Sequence, residues 1–554
     1  MKSLLNFFFL LVLFSSGQIL RAQSLAEDIK KICAEVGEVP ADKLTYGQAF
    51  TADPSKPYLV NLLVRTTDAK GKQSTEELEF NLGDIDKNTV RWKEGKVLTI
   101  TMSAAKGQKF IRATKDGTFD AYVKEVTIYA RNIDNARNIE AALKSAIPVA
   151  RNLSDADLNI KGKSLSELLD ILFKTNLEVS TGDGKYIQKF EAAGTYSDRI
   201  RQTIESYSSK GISKTEVFEF SIGDLNEISL NLEISSKFVT IECGGKRNLR
   251  WISVLKEGKA TGFEKEIKIF AADPEQGKYM LKVLQLMIPL GETEIKKRLP
   301  KEKGVEALKL FCALPSRIGT EKGEMEQQLQ AACFTTLSLK KNNELMEYSF
   351  NFGDLNEKAL SLDIGGKGIT LKARVISSEE WIQEKKDGVI LGYDDDLSFA
   401  LPDVESARYY EALLSEVIAH CRQPVQAMDF GWLQKNFTID DSGENFLKQK
   451  LEFQSSGEAC KWKFSRVSIS GKTSVEEIYE FGLSDIDSKA VKLKVSGKKV
   501  YVVLQTKLKQ KIISYYKDGK PGYQSDINFE FPDVEAAKIA KETVAQLIEN
   551  CLRN

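Results

Sequence analysis

Glu79-Phe80-Asn81-Leu82-Gly83-Asp84-Ile85-Asp86 is the first of four versions of one phrase. It returns as Glu219-Phe220-Ser221-Ile222-Gly223-Asp224-Leu225-Asn226, then as Ser349-Phe350-Asn351-Phe352-Gly353-Asp354-Leu355-Asn356. The last version is Glu480-Phe481-Gly482-Leu483-Ser484-Asp485-Ile486-Asp487. The motif aspartates Asp84, Asp224, Asp354 and Asp485 lie 140, 130 and 131 residues apart. A period of that size is a whole domain, not a solenoid unit. One architecture is therefore written four times in 554 residues.

Leu78, Phe80 and Leu82 alternate with polar residues, the period of a half-buried strand, and the other copies repeat this. Gly-Asp, or Ser-Asp in the fourth copy, then ends the strand. Further strand-like runs follow, clearest at Ala490–Val495 and Lys499–Thr506. The next landmarks are the turns Lys115-Asp116-Gly117, Lys256-Glu257-Gly258, Lys386-Asp387-Gly388 and Lys517-Asp518-Gly519. A closing amphipathic helix opens at the N-cap residues Asn132, Asp273, Asp403 and Asp533, whose side chains suit the first free helical N–H groups. Short helical stretches precede the strands at Leu25–Val36, Leu165–Lys174, Val305–Leu314 and Asp429–Asn436.

The predicted fold is α+β, with four tandem repeats. Each is an antiparallel β-sandwich or barrel of six to seven strands closed by a C-terminal helix. The predicted domains are 23–150, 151–291, 292–422 and 423–554.

Residues 1–22 read as a secretory signal: Lys2, then the short apolar run Leu4–Phe14, with Ala22 before the cut and no Cys there for a lipid anchor. The expected location is periplasmic or secreted. Without that segment 77 basic residues face 79 acidic ones, so no field exists to draw nucleic acid or an anionic membrane.

Meandering strands closed by one C-terminal helix resemble the pleckstrin-homology-like superfold, in which a helix plugs a bent sheet pair. Many such domains bind phosphoinositides through basic residues in the first hairpin. The fourth copy's hairpin, Gln454-Ser455-Ser456-Gly457-Glu458, has no basic cluster, so that activity is not implied here. The layout also resembles the Bet v 1-like helix-grip fold, which encloses an apolar cavity but places two helices after its first strand.

Cys333 and Cys460 stand at the start of the strand before the motif strand, and Cys421 and Cys551 each lie 18 residues past their helix cap. The first two copies lack both cysteines of the pair. Two disulfides pinning helix to sheet, Cys333–Cys421 and Cys460–Cys551, follow from that co-occurrence in an oxidising compartment. Cys33, Cys243 and Cys312 are left over; Cys33 and Cys312 both sit in opening helices, where they could pair across copies.

The single histidine, His420, has no counterpart in other copies, and no G-x-S-x-G turn is present. Asp84 and Asp86, or Asp485 and Asp487, offer oxygens to Ca²⁺, but copies two and three carry Asn226 and Asn356, and two ligands do not make a site. An aspartate bonding backbone N–H groups of its turn is the plainer reading. Phe110, Trp251, Trp381 and Ile512 share one position, which asks for apolar bulk in the core. No catalytic residue, cofactor or metal ligand is predicted. The expected function is a non-enzymatic binding or scaffold protein with a protein or cell-envelope partner and no nucleic acid; the alternative is a carrier of an apolar small molecule under the closing helices.

Overall fold

The computed structural model describes residues 23–553, apart from 176, 182–183, 209–210, 212, 321–322, 343, 366–367, 439, 442–444 and 455–459. The expected signal segment and most of the fourth copy's first hairpin lie outside the described residues. The chain forms two compact units, one ending at Arg298 and one beginning at Leu299, and each holds two copies of the repeat.

In the first copy, helix α1 (23–35) leads into β1 (Val39–Ala41), β2 (Leu44–Ala52), β3 (Leu59–Asp68), β4 (Gln73–Asn81), β5 (Arg91–Lys93), β6 (Leu98–Ser103), β7 (Ile111–Lys115), β8 (Thr118–Val123) and β9 (Glu125–Ala130). A six-stranded sheet runs β1-β2-β3-β4-β7-β8, and a three-stranded sheet runs β5-β6-β9. The other three copies repeat this six-plus-three arrangement, with antiparallel pairing. The fold is thus α+β and antiparallel, as expected. Among the described residues each copy has nine strands rather than six or seven, because the edge strand β1 carries too few alternating residues to read and the last alternating run divides into two strands, β8 and β9, that belong to different sheets. No closed barrel is present among the described residues.

One core serves both sheets: Leu62 and Phe80 from the larger, Ile100 and Ile128 from the smaller, and Ile139 and Leu143 from the closing helix α2 (Ile133–Asp157). Between the sheets a side chain stands in for a strand. Gln48 on β2 donates to the Tyr129 carbonyl (2.9 Å) on β9 and accepts from the Tyr129 N–H (2.8 Å). Gln188 does the same with Phe270, Gln327 with Ala400 and Gln449 with Glu530. All four glutamines are buried. Their amides satisfy peptide groups that would otherwise be stranded at the gap.

The closing helices α2, α4 (Pro274–Arg298), α6 (Val404–Cys421) and α8 (Val534–Arg553) are each preceded in their own copy by a short opening helix, α1, α3 (Leu165–Lys174), α5 (Gly304–Cys312) and α7 (Phe430–Lys435). Asn132 and Asp403 cap α2 and α6 by accepting from the Asn135 and Ser406 N–H groups. α2 and α4 run 25 residues each and overshoot the expected boundaries at 150 and 291; internal Pro148 and Pro289 do not stop them.

The overshoot has a use. Tyr58, Asp198, Cys333 and Cys460 occupy one structural position, since each backbone carbonyl accepts from the N–H that opens the motif turn (2.8–2.9 Å). Each side chain clasps the end of its closing helix. Tyr58 donates to Asp157 (2.5 Å), and Asp198 takes both Arg298 nitrogens (2.7 and 3.1 Å). Cys333 and Cys460 are disulfide-bonded to Cys421 and Cys551, with Cα atoms 5.4 and 6.0 Å apart. The two-and-two split of the cysteines is thus a split in clasp chemistry at a shared point.

Candidate functional site: the junction between paired copies

Each motif turn is a short 3₁₀ segment, Leu82–Asp84 in the first copy. In the first three copies the turn's glycine is required by its neighbour: a Cβ on Gly83 would lie 2.7 Å from the Arg151 Cα in α2, and one on Gly353 would lie 2.4 Å from the Cys421 carbonyl oxygen. Arg151 then donates to the Gly83 and Ile85 carbonyls (2.9 Å each), and Arg422 to the Gly353 and Leu355 carbonyls (3.4 and 2.7 Å). The turn is therefore welded to the helix end of its own copy.

The aspartate faces the next copy. Asp84 accepts from Lys278 Nζ at 2.5 Å, and Lys278 belongs to the first turns of α4, in the second copy. Lys278 also pairs with Glu275 and stands over the Phe110 ring at 5.2 Å. Asn81 donates to Glu275 (3.0 Å). Unit two repeats each contact: Lys538 of α8 pairs with Asp354 and Glu535, stands over Trp381 at 4.8 Å, and Asn351 donates to Glu535 (3.3 Å). Cation, two carboxylates and an aromatic face form one constellation, built twice.

The rest of the first junction is apolar and backbone-bonded. Tyr122 donates its N–H to the Ser236 carbonyl (2.9 Å) and its hydroxyl to the Ala272 carbonyl (3.1 Å). Its ring clusters with Ile234, Val239 and Ala271 of the second copy. In unit two, Trp381 and Tyr393 of the third copy pack on the core of the fourth.

The junction is mostly dry: side-chain exposure is 15% for Lys278 and 16% for Asp84. Burial pushes the Asp84 carboxyl up to about 6, against the pull of the Lys278 ammonium and with a further push from Glu275. Burial lifts Asp354 likewise. For Lys278 burial works against the charge, but Asp84 and Glu275 outweigh it and hold the ammonium above its ordinary value.

The motif aspartates therefore do not share one role. Asp84 and Asp354 are junction residues, Asp224 is buried, and Asp485 is exposed. The expected bonding of turn N–H groups falls to neighbours: Asn81 and Asn351 accept from the Gly83 and Gly353 N–H groups, and Asp86 and Asp487 from those of Asn88 and Lys489. Asp86 is thus committed to its own turn while Asp84 is committed to Lys278, which does not assemble a calcium site. The shared aromatic position is not simply core either. Trp251 is buried, Phe110 and Trp381 face a junction, and Ile512 is 44% exposed.

His420 lies in the last turn of α6 beside Gly304. Cys33, Cys243 and Cys312 are free thiols, so the Cys33–Cys312 pairing is not formed. Burial pushes the Cys243 and Cys312 thiols up to about 11, away from the reactive thiolate. Asp394, Asp395 and Asp396 form the one carboxylate group among the described residues close enough to share an ion, and Arg374 already pairs with Asp395 (3.5 Å). The acid-glycine turns are hairpin turns of the I′ kind, with positive φ at both Asp116 and Gly117 and at each counterpart. A cleft of about 420 Å³ opens at the first junction, lined by Val60, Phe80 and Phe110 and by Glu79, Arg112, Asp273 and Glu275. No described helix is long and apolar enough to cross a membrane.

No protein-family model, curated protein or solved structure matches the chain.

Proposed function

We propose that the protein is an extracytoplasmic, non-enzymatic binding scaffold, made of four domains of the pleckstrin-homology-like class joined as two rigid pairs. The observation that carries this reading is the fate of the repeated acids. The motif aspartates are the residues best placed to form a fourfold active site, and two of them are consumed in holding copies together. Two disulfides fit an oxidising compartment. Four similar domains multiply sheet edges and loops, which suits avid contact with a protein or cell-envelope partner.

The carrier reading keeps one observation in its favour, the 420 Å³ cleft, which is large enough for a small ligand. It lies at a junction between copies, against the start of α4, with Asp53, Glu79, Asp273 and Glu275 among its lining, whereas the carrier reading places the cavity between sheet and closing helix within one copy. The deciding experiment is affinity capture from cell-envelope extract, followed by titration of each purified candidate against the full chain. Native mass spectrometry of the freshly isolated protein runs alongside. A saturable complex with one envelope protein supports the scaffold. A stoichiometric small molecule with no protein partner overturns it in favour of the carrier.

A further inference from the structure

The two halves of the junction recur at the free ends of the copy series. The helix half is an acid two residues and a cation five residues past the N-cap: Glu275 and Lys278 in α4, Glu535 and Lys538 in α8. The first copy has the same spacing in Asp134 and Arg137 of α2, which pair at 3.6 Å as their counterparts do. In the docked helices the residue after the cap is covered, with Val534 5% exposed; the equivalent Ile133 is 44% exposed. The Asp134 and Arg137 side chains are 89% and 65% exposed.

The sheet half is the motif aspartate, the bulky residue at Phe110 or Trp381, and the tyrosine at Tyr122 or Tyr393. The fourth copy supplies all three as Asp485, Ile512 and Tyr523. Tyr122 is 5% exposed in its junction, but Tyr523 is 67% exposed, and Asp485 and Ile512 are open as well. An apolar, acid-bearing face and a cation-bearing apolar helix start, each the uncovered twin of a half seen docked twice, are complementary in charge and in kind.

We propose that copies of this chain join head to tail, the fourth-copy face of one chain receiving the first turn of α2 of the next. Asp485 takes Arg137, and Ile512 and Tyr523 cover Ile133. The contact uses different surfaces on the two partners, so it does not close on itself as a two-fold dimer does; it extends into short chains or a ring. Gly482 stands where Asn81 and Asn351 donate, so this junction has one hydrogen bond fewer than the internal ones and is the weaker, reversible one.

Sedimentation velocity of the full chain over a concentration series tests this. Growth beyond the monomer is expected, with Asp485→Arg or Arg137→Asp weakening association roughly ten- to hundred-fold by like-charge contact. The double variant Asp485→Arg/Arg137→Asp restores association by swapping the charges. Tyr523→Glu blocks it without touching either charge. All three changes are on exposed side chains, so folding is not at stake. A chain that stays monomeric up to about 100 μM, single variants that associate like the native chain, or a double variant no better than the singles overturns the proposal.

Discussion

Lys278→Met probes what governs the junction. Asp84 has its folded value raised from 3.8 to about 6 by burial. Such an acid contributes its full stability below 3.8 and loses it as pH rises through about 6. At about pH 7.5, keeping it ionised in the folded state costs about 3 kcal/mol relative to the unfolded chain. Without the ammonium the buried carboxyl's value rises further, and the cost at that pH is at most the gap between 3.8 and the solvent pH, about 5 kcal/mol. The Asp84 share of the Lys278→Met penalty is at most the difference, about 2 kcal/mol, or a fall in unit one's melting temperature of up to about 4–8 °C. At about pH 5.5 native Asp84 is already mostly protonated, and the difference shrinks to a few tenths of a kcal/mol. Calorimetry at both pH values, with hydrogen exchange on peptides of Pro274–Arg298 to localise the effect, reads this. Asp84→Asn/Lys278→Met removes both charges and recovers most of the loss. A penalty as large at pH 5.5 as at 7.5, or no recovery in the double variant, refutes the reasoning.

Gly353→Ala drives a methyl into the Cys421 carbonyl at 2.4 Å and is expected to lower unit two's stability by about 1–3 kcal/mol in urea unfolding, while Gly365→Ala, which meets nothing within 4 Å, leaves it unchanged. Gln449→Leu strands the buried Glu530 N–H, while the Glu530 carbonyl keeps the Thr438 N–H (3.1 Å); it is expected to cost about 1–3 kcal/mol and to accelerate exchange of the Glu530 amide, and unchanged exchange would sink the strand-substitute role. Thiol mapping without reductant should find Cys33, Cys243 and Cys312 alone. Breaking Cys333–Cys421, which spans 88 residues, should cost about 4 kcal/mol in the chain-entropy model.

What the sequence discloses is what repeats in register. The motif strand, the acid-glycine turns, the helix caps and the cysteine pairs all keep fixed spacing, and the structure holds them as strands, turns, caps and bonds. The glutamine clip hides because Gln48, Gln188 and Gln449 stand 36 residues before their motif aspartate, while Gln327 stands 27 before its own. The junction hides for another reason. Its helix half, an acid and a cation two and five residues past the cap, stands in all four copies as Asp134 and Arg137, Glu275 and Lys278, Glu405 and Arg408, and Glu535 and Lys538, and reads as an ordinary ion pair on a helix surface. That spacing is legible, but only the structure shows Lys278 and Lys538 reaching across to Asp84 and Asp354 of the preceding copy. The clasp at Tyr58 and Asp198 shares position and purpose with the cysteines yet no chemistry, and only the backbone bond common to all four reveals it.

That last feature bears on where such a domain can live. One point in the fold accepts a phenol on a carboxylate, a carboxylate on a guanidinium, or a disulfide, with the surrounding strands unchanged. The dependence of a copy on an oxidising environment is thus set by a single exchangeable contact rather than by its architecture. The first two copies would be equally at home among reduced thiols; the last two carry the adaptation, and they carry it in four side chains.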